Sequence, residues 1–156
     1  MVSHNGQKDQ KFDRLSVFEL SGKLYGIDIT QCREVITLPR FTPLPNSEEI
    51  FLGVFNLRGE IFPLADVSPI LNHETKKISS DDMILLLEYE EWQVGILVDK
   101  IHKVLTYAVG EVKLPRGYVA QDTLHYYRGV LENQNKLVYI LNLKHIFEAP
   151  EIRIHI

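Results

Sequence analysis

The residues able to do acid–base, nucleophilic or metal chemistry are few in this 156-residue chain, and they stand apart from one another. The six histidines are His4, His73, His102, His125, His145 and His155. Their spacing forms no ligand set of the kind zinc requires, so they are expected at the surface or at its boundary. Cys32 is the single cysteine, which excludes an internal disulfide and any multi-cysteine metal site. Arg33 beside it would favour a reactive thiolate. A free cysteine is more often a small, half-buried apolar residue, and that is the reading adopted. Asp81-Asp82 and Glu90-Glu91 place carboxylates side by side. Neighbours on a strand face opposite sides of a sheet, so both pairs read as solvated turns. No phosphate-binding loop, dinucleotide fingerprint, nucleophile elbow or helical metalloprotease motif is present. No catalytic residue, metal site or cofactor is predicted.

Arg58 is a different kind of candidate. It lies in the run GVFNLRGEIFPLAD, residues 53–66, where two apolar β-rich stretches flank a polar turn. Gly59 suits that turn because it takes positive φ without a steric cost. Arg58, just before it, is expected at the surface, either simply solvated or at an interface, where arginine is enriched. Glu34, between Cys32 and Val35-Ile36, is the nearest candidate partner. An ion pair between them beside an apolar groove would orient a surface more than stabilise the fold, because exposed pairs contribute little.

These residues must be held by a small β-rich fold. The length suits one ordinary domain or two small lobes sharing a core, and 45% apolar residues exclude general disorder. A net charge of −4 gives no basic field for nucleic acid. No apolar run approaches the roughly 20 residues of a membrane span. The first residues carry no apolar signal-like segment, so a cytoplasmic protein is the expectation.

Along the chain, residues 1–13 are expected as a flexible N-terminal tail. Residues 15–20 and 24–27 read as strands joined by a tight turn at Ser21-Gly22-Lys23. Residues 28–33 suit one helical turn capped by Asp28 or Thr30. Residues 35–38 read as a strand ended by Pro39. Pro43 and Pro45 impose extended chain on 42–45, and 47–49 suit a brief helical turn. After the Gly53 strands, Asp66 or Ser68 can cap a short helix with Pro69 at its start. Residues 72–82 are polar and read as a long surface loop. Strands are expected over 83–89, apolar enough for burial on both faces, and over 92–98 and 103–109. Residues 110–123 carry no clear signal. A strand over 124–131, a polar turn, a strand over 136–141 and a short helix over 143–147 capped by Asn142 complete the domain, with 149–156 as a C-terminal tail. The run IFPLADVSPIL is echoed by LVYILNLKHIF, which hints at two similar lobes. Many short strands with turn signals every 8–12 residues or so indicate an all-β sandwich or barrel.

The ordered motifs carry a resemblance. Residues 18–20 and 24–29, Glu34, the TPLP of 42–45, GVFNLRG at 53–59, Pro63, Asp66 and VGILVD at 94–99 resemble the CheW-like domain at proper spacing, over residues 14–148. Gly129-Val130-Leu131 and the strand to Leu141 match more loosely. The chain departs from the family pattern at Val67-Ser68, at Asn142 where an aspartate is common, and at Cys32 where an aliphatic residue is usual. The resemblance implies an all-β fold with a few short helices, built as two packed five-stranded SH3-like barrels. It implies a chemotaxis adaptor that couples the cytoplasmic tip of chemoreceptors to the regulatory domain of the histidine kinase CheA, at receptor arrays at the inner membrane and without catalysis. Cys32, Glu34, Val35, Leu57, Arg58 and Val98 are then the expected receptor-binding residues, with Phe55 also beside the groove. Phe41, Phe51 and Gly59 are expected to meet the kinase at the barrel ends. The rivals are an adaptor of another pathway, such as pilus motility or gene regulation, and a β-barrel that senses a small molecule held between its lobes.

Overall fold

The computed structural model describes residues 10–38, 42–43 and 50–153. Its strands are β1 Phe12–Leu20, β2 Lys23–Asp28, β3 Cys32–Thr37, β4 Thr42–Pro43, β5 Phe51–Leu57, β6 Glu60–Ala65, β7 Met83–Tyr89, β8 Trp92–Val98, β9 Lys100–Ile101, β10 Leu105–Ala108, β11 Tyr127–Asn133 and β12 Lys136–Leu141. Two short helices follow, α1 Leu143–Phe147 and α2 Pro150–Arg153. The strands form two sheets. One runs β10-β1-β2-β12-β11 with β9 also on β1, and the other runs β3-β7-β8-β6-β5-β4. The chain crosses from the first sheet to the second through a 3-10 turn at Ile29–Gln31, where Asp28 Oδ1 accepts the Thr30 N–H. It crosses back after β8.

The two lobes repeat one plan. In each, a hairpin packs its return strand parallel to the return strand of another hairpin: β6 beside β8, and β12 beside β2. The matching holds to single residues. Leu64 pairs Gly95 while Ile140 pairs Gly26, and Leu64 also faces Gly53 while Ile140 faces Gly129, each time past a bulge. The Asp66 N–H donates to Ile50 O at 2.7 Å, and the Asn142 N–H donates to Tyr126 O at 2.8 Å. The echo between residues 61–71 and 137–147 is therefore a structural repeat. In the first-sheet lobe it is circularly permuted, because the hairpin β1-β2 that completes it comes from the start of the chain.

Alternation along the strands divides the apolar residues into three cores. Leu15, Val17, Tyr107, Leu131, Val138 and Ile140 fill one lobe, and Phe55, Phe62, Leu64, Ile84, Leu86 and Leu97 fill the other. The third core lies between the lobes, with Phe18, Leu20, Tyr25 and Ile27 meeting Leu85, Leu87, Val94, Ile96 and Val98. Two-sided burial explains why β7 reads as continuous apolar chain. Each lobe interior is tight where two strands run parallel. A Cβ on Gly95 would lie 2.7 Å from the Phe55 ring and 2.8 Å from Ile84.

Several boundaries differ from the sequence reading. β1 begins at Phe12, inside the stretch expected as a tail. Residues 149–156, also expected as a tail, include α2, whose Ile152 is wholly buried. The strand expected over 103–109 is shorter, Leu105–Ala108, and Lys100–Ile101 pairs separately on β1. The strand expected from 124 starts at Tyr127, because Gln121–Tyr126 wind into a 3-10 turn fixed by the Thr123 N–H and hydroxyl on Ala120 O. The helical turn expected over 47–49 lies outside the described residues.

Residues 72–82 form an irregular, mostly exposed loop, as expected, but it is pinned to the body at two points that the sequence did not indicate. The Lys76 side chain is 6% exposed, and its ammonium sits 2.7 Å from Asp82 and 2.5 Å from Asp99. The Lys76 N–H also donates to the buried Asp66 carboxylate at 2.7 Å. Asp82, expected in a solvated turn, is buried and accepts the Ser79 N–H at 2.7 Å.

Candidate partner-binding site

The turn between β5 and β6 is two residues long, with Leu57 facing Glu60 across it. Both turn residues have positive φ, 50° at Arg58 and 89° at Gly59, which matches the right-handed strand twist in a tight hairpin. Glycine suits this conformation and arginine does not. Asn56 Oδ1 helps by accepting the Gly59 N–H at 3.1 Å. The result casts Arg58 outward, with 66% of its side chain exposed.

Glu34 reaches it from β3. The pairing of β3 with β7 slips between Cys32 and Glu34, and a bulge of this kind re-aims side chains. Arg58 Nη1 donates to Glu34 Oε1 at 3.0 Å, and Nη2 donates to Oε2 at 2.7 Å. This bidentate fork gives directional specificity that a lysine would not. The hydrogen bonds from Arg58 hold the Glu34 carboxyl below its usual range. Beside it, Arg33 donates to the Gln93 side chain, approaches Glu60 at 3.5 Å and lies 5.5 Å over the Phe62 ring.

The apolar candidates divide. Val35 is 42% exposed, next to Glu34. Leu57 and Cys32 are half-buried; Cys32 packs against the shared core, and burial pushes its thiol up. Gly59 is exposed at the turn. Val98 and Phe55, expected at a groove surface, are 0% and 1% exposed. Val98 faces the interlobe core and Phe55 the lobe interior, so neither offers area to a partner. Phe51, expected as an exposed contact at the barrel end, is likewise buried, at 2%, because it opens β5 on the inward face. Phe41 lies outside the described residues. One exposed apolar side chain on this hairpin was not anticipated. Ile61, which faces Asn56 across the hairpin, is 67% exposed. The alternation of buried Phe62 and Leu64 with Ile61 and Pro63 is the signal that would have found it.

Among the described residues, no cluster of three or more His, Cys, Asp or Glu residues is placed to hold a metal ion. What the site offers is an exposed charged fork beside the apolar side chains of Val35 and Leu57.

Comparison with known proteins defines the class. The CheW-like domain matches residues 14–151, and the chain belongs to that family. It is 27% identical to the chemotaxis protein CheW of Treponema pallidum (strain Nichols), covering 93% of this chain and 87% of the relative. It is also 27% identical to the chemotaxis protein CheW of Bacillus subtilis (strain 168), with 87% of each covered. Among solved structures, the scaffolding protein TtCheW from Thermoanaerobacter tengcongensis superposes with a TM-score of 0.77 at 26% identity, over 90% of this chain and 91% of that one.

Proposed function

We propose that the chain is a chemotaxis adaptor that holds chemoreceptor tips and the regulatory domain of the histidine kinase CheA in one signalling array. It works at the cytoplasmic side of the inner membrane and catalyses nothing itself. The observation that carries this reading is the family match over nearly the whole two-lobed fold, at a TM-score of 0.77 to a scaffolding protein. Among the described residues no helix is long and apolar enough to cross a membrane, so array membership would come through partners.

The Glu34–Arg58 fork supplies the orienting element. A receptor tip is a helical hairpin, and helices are recognised through an apolar stripe with flanking charges. Val35, Leu57 and the partly covered Cys32 offer the apolar contacts, and the fork sets register and rejects like-charged surfaces. Gly59, at the exposed end of the same hairpin, is proposed to meet the kinase domain, as is Phe41, which lies outside the described residues.

The test is a binding assay with the full chain, a receptor-tip fragment and a CheA regulatory domain, using Arg58→Glu as the perturbation. Both partners should be retained by the native chain, and the substitution should weaken receptor binding by about tenfold or more, the scale of one lost charge-assisted contact. Failure to bind either partner would overturn the coupling role. Unchanged receptor binding by Arg58→Glu would remove the fork from that surface.

A further inference from the structure

On the seam between the lobes lies a cavity of about 440 Å³, within the size range of small-molecule sites. Its walls come from both lobes. Lys23 and Tyr25 lie on β2, Tyr127 on β11 and Tyr139 on β12, while His73 comes from the segment after β6 and Tyr118 from the irregular connection after β10. The rings form a connected cluster. Tyr25 and Tyr139 have centroids 5.8 Å apart, Tyr127 and Tyr139 6.1 Å, and Tyr25 and His73 meet edge-on at 6.1 Å. Tyr25 Oη is 2.6 Å from His73 Nε2.

Lys23 is the fixed charge among the lining residues, while Asp99 stands behind the wall and accepts the Ser21 N–H at 2.8 Å. No aspartate or glutamate is among the lining residues. Lys23 Nζ stands 5.3 Å from the Tyr139 ring centroid, and among the described residues it forms no ion pair. Burial raises the phenols of Tyr25 and Tyr127, the latter to about 12, and the two hydroxyls are hydrogen-bonded to each other. Burial first, then the charge of Lys23, lowers His73, against the opposing charges of Asp66 and Asp99. An aromatic enclosure with an acidic residue would suit a cation. Here the charged lining residue is Lys23 and the rings supply flat apolar walls, so the complement is an anion with a flat apolar body.

We propose that this cavity binds a small planar organic anion, an aromatic or heteroaromatic carboxylate, with its ring against the tyrosines and its carboxylate at Lys23. Because the walls belong to both lobes, the bound molecule would tie the lobes together across the seam. The site uses none of the residues of the Glu34–Arg58 surface.

The test is a nuclear magnetic resonance titration of the full chain with benzoate, with benzamide, benzylammonium and inorganic phosphate as comparison arms. Benzoate should give saturable shifts at Tyr127, Tyr139 and His73. Benzamide and the Lys23→Gln variant should each bind about tenfold more weakly, as expected for losing one charge-assisted contact. Lys23 is exposed, so Lys23→Gln should keep the native fold, and its unliganded spectrum checks this. No shifts with benzoate up to roughly 10 mM, weaker than any useful small-ligand site, would overturn the proposal. So would equal binding of benzamide or benzylammonium, the same shifts with phosphate, or unweakened binding by Lys23→Gln.

Discussion

Lys76 offers the sharpest stability prediction, because one ammonium closes a segment that is otherwise irregular. Lys76→Met keeps most of the side-chain volume and removes the charge. Two carboxylates then lose their partner: Asp82, which is buried, and Asp99, whose side chain is 35% exposed. Breaking a fully buried pair costs about 3–5 kcal/mol, and an exposed pair about 0–1 kcal/mol. Here each carboxylate keeps one backbone donor, Ser79 N–H for Asp82 and Ser21 N–H for Asp99, at 2.7 and 2.8 Å. The expected loss is therefore about 3 kcal/mol, below the full buried-pair value. For a domain of this size that lowers the melting temperature by roughly 6–12 °C. Urea unfolding of both proteins, with matched m-values, measures it. Asp99→Asn should cost clearly less than Lys76→Met, because Asp82 would still hold the ammonium. A Lys76→Met variant within about 0.5 kcal/mol of native, the ordinary range for surface substitutions, would refute the reasoning.

Other perturbations test other links. Phe147 on α1 is wholly buried and contacts Tyr89 and Trp92 at the tip of the β7-β8 hairpin, with centroids 6.3 and 5.9 Å away. Phe147→Ala should cost about 3–5 kcal/mol and shift the fluorescence of Trp92, the single tryptophan, to the red; unchanged emission would show that α1 does not seal the lobes. Gly95→Ala, with its Cβ forced against Phe55 and Ile84, should cost about 1–3 kcal/mol by overpacking, read from urea melts. The folded-state values of Tyr25, Tyr127 and Lys76 are all raised; for Lys76 burial opposes the rise, and the hydrogen bonds and charges of Asp82 and Asp99 outweigh it. Groups raised in the fold contribute stability that is fully present below their unfolded values and is lost as pH rises through the folded ones. Stability should therefore hold to about pH 10 and decline above it; a urea midpoint unchanged from about pH 8 to 11.5 would contradict this. Glu34→Lys and Arg58→Glu should each weaken receptor binding while the charge-swapped double recovers part of it, and a double no better than the singles would show that the pair does not act as a unit.

The sequence revealed much of this because the informative positions are governed by local chemistry. The Arg58-Gly59 turn and the Asp28 and Asn142 caps follow from turn and cap patterns, and the structure places each of them. The repeat was visible as the echo of 61–71 in 137–147, and the same bulge and parallel pairing recur at Gly53-Leu64 and Gly129-Ile140. The expected cap holds at Asn142 only, since the turn after β6 starts from Val67 and Asp66 accepts the Ser68 N–H ahead of it. Glu34 and Arg58 were paired correctly although β3 and the β5-β6 turn lie toward opposite ends of the strand order. What sequence did not reveal is set by contacts between distant segments. Lys76 reads as an ordinary loop lysine until β8 brings Asp99 beside it. Val98 and Phe51 read as surface candidates because a second lobe covers the face that an isolated sheet would leave open. The seam cavity draws its walls from residues 21 to 139, and no local pattern announces such a convergence.

The central claim is that one chain holds receptor and kinase at the same time. The most direct measurement immobilises the CheA regulatory domain and asks whether a receptor-tip fragment is retained only when the chain is added. The account predicts retention that depends on the chain, saturates with it, and falls with Arg58→Glu while kinase binding persists. Competition between the two partners for the chain, so that adding one releases the other, would contradict it.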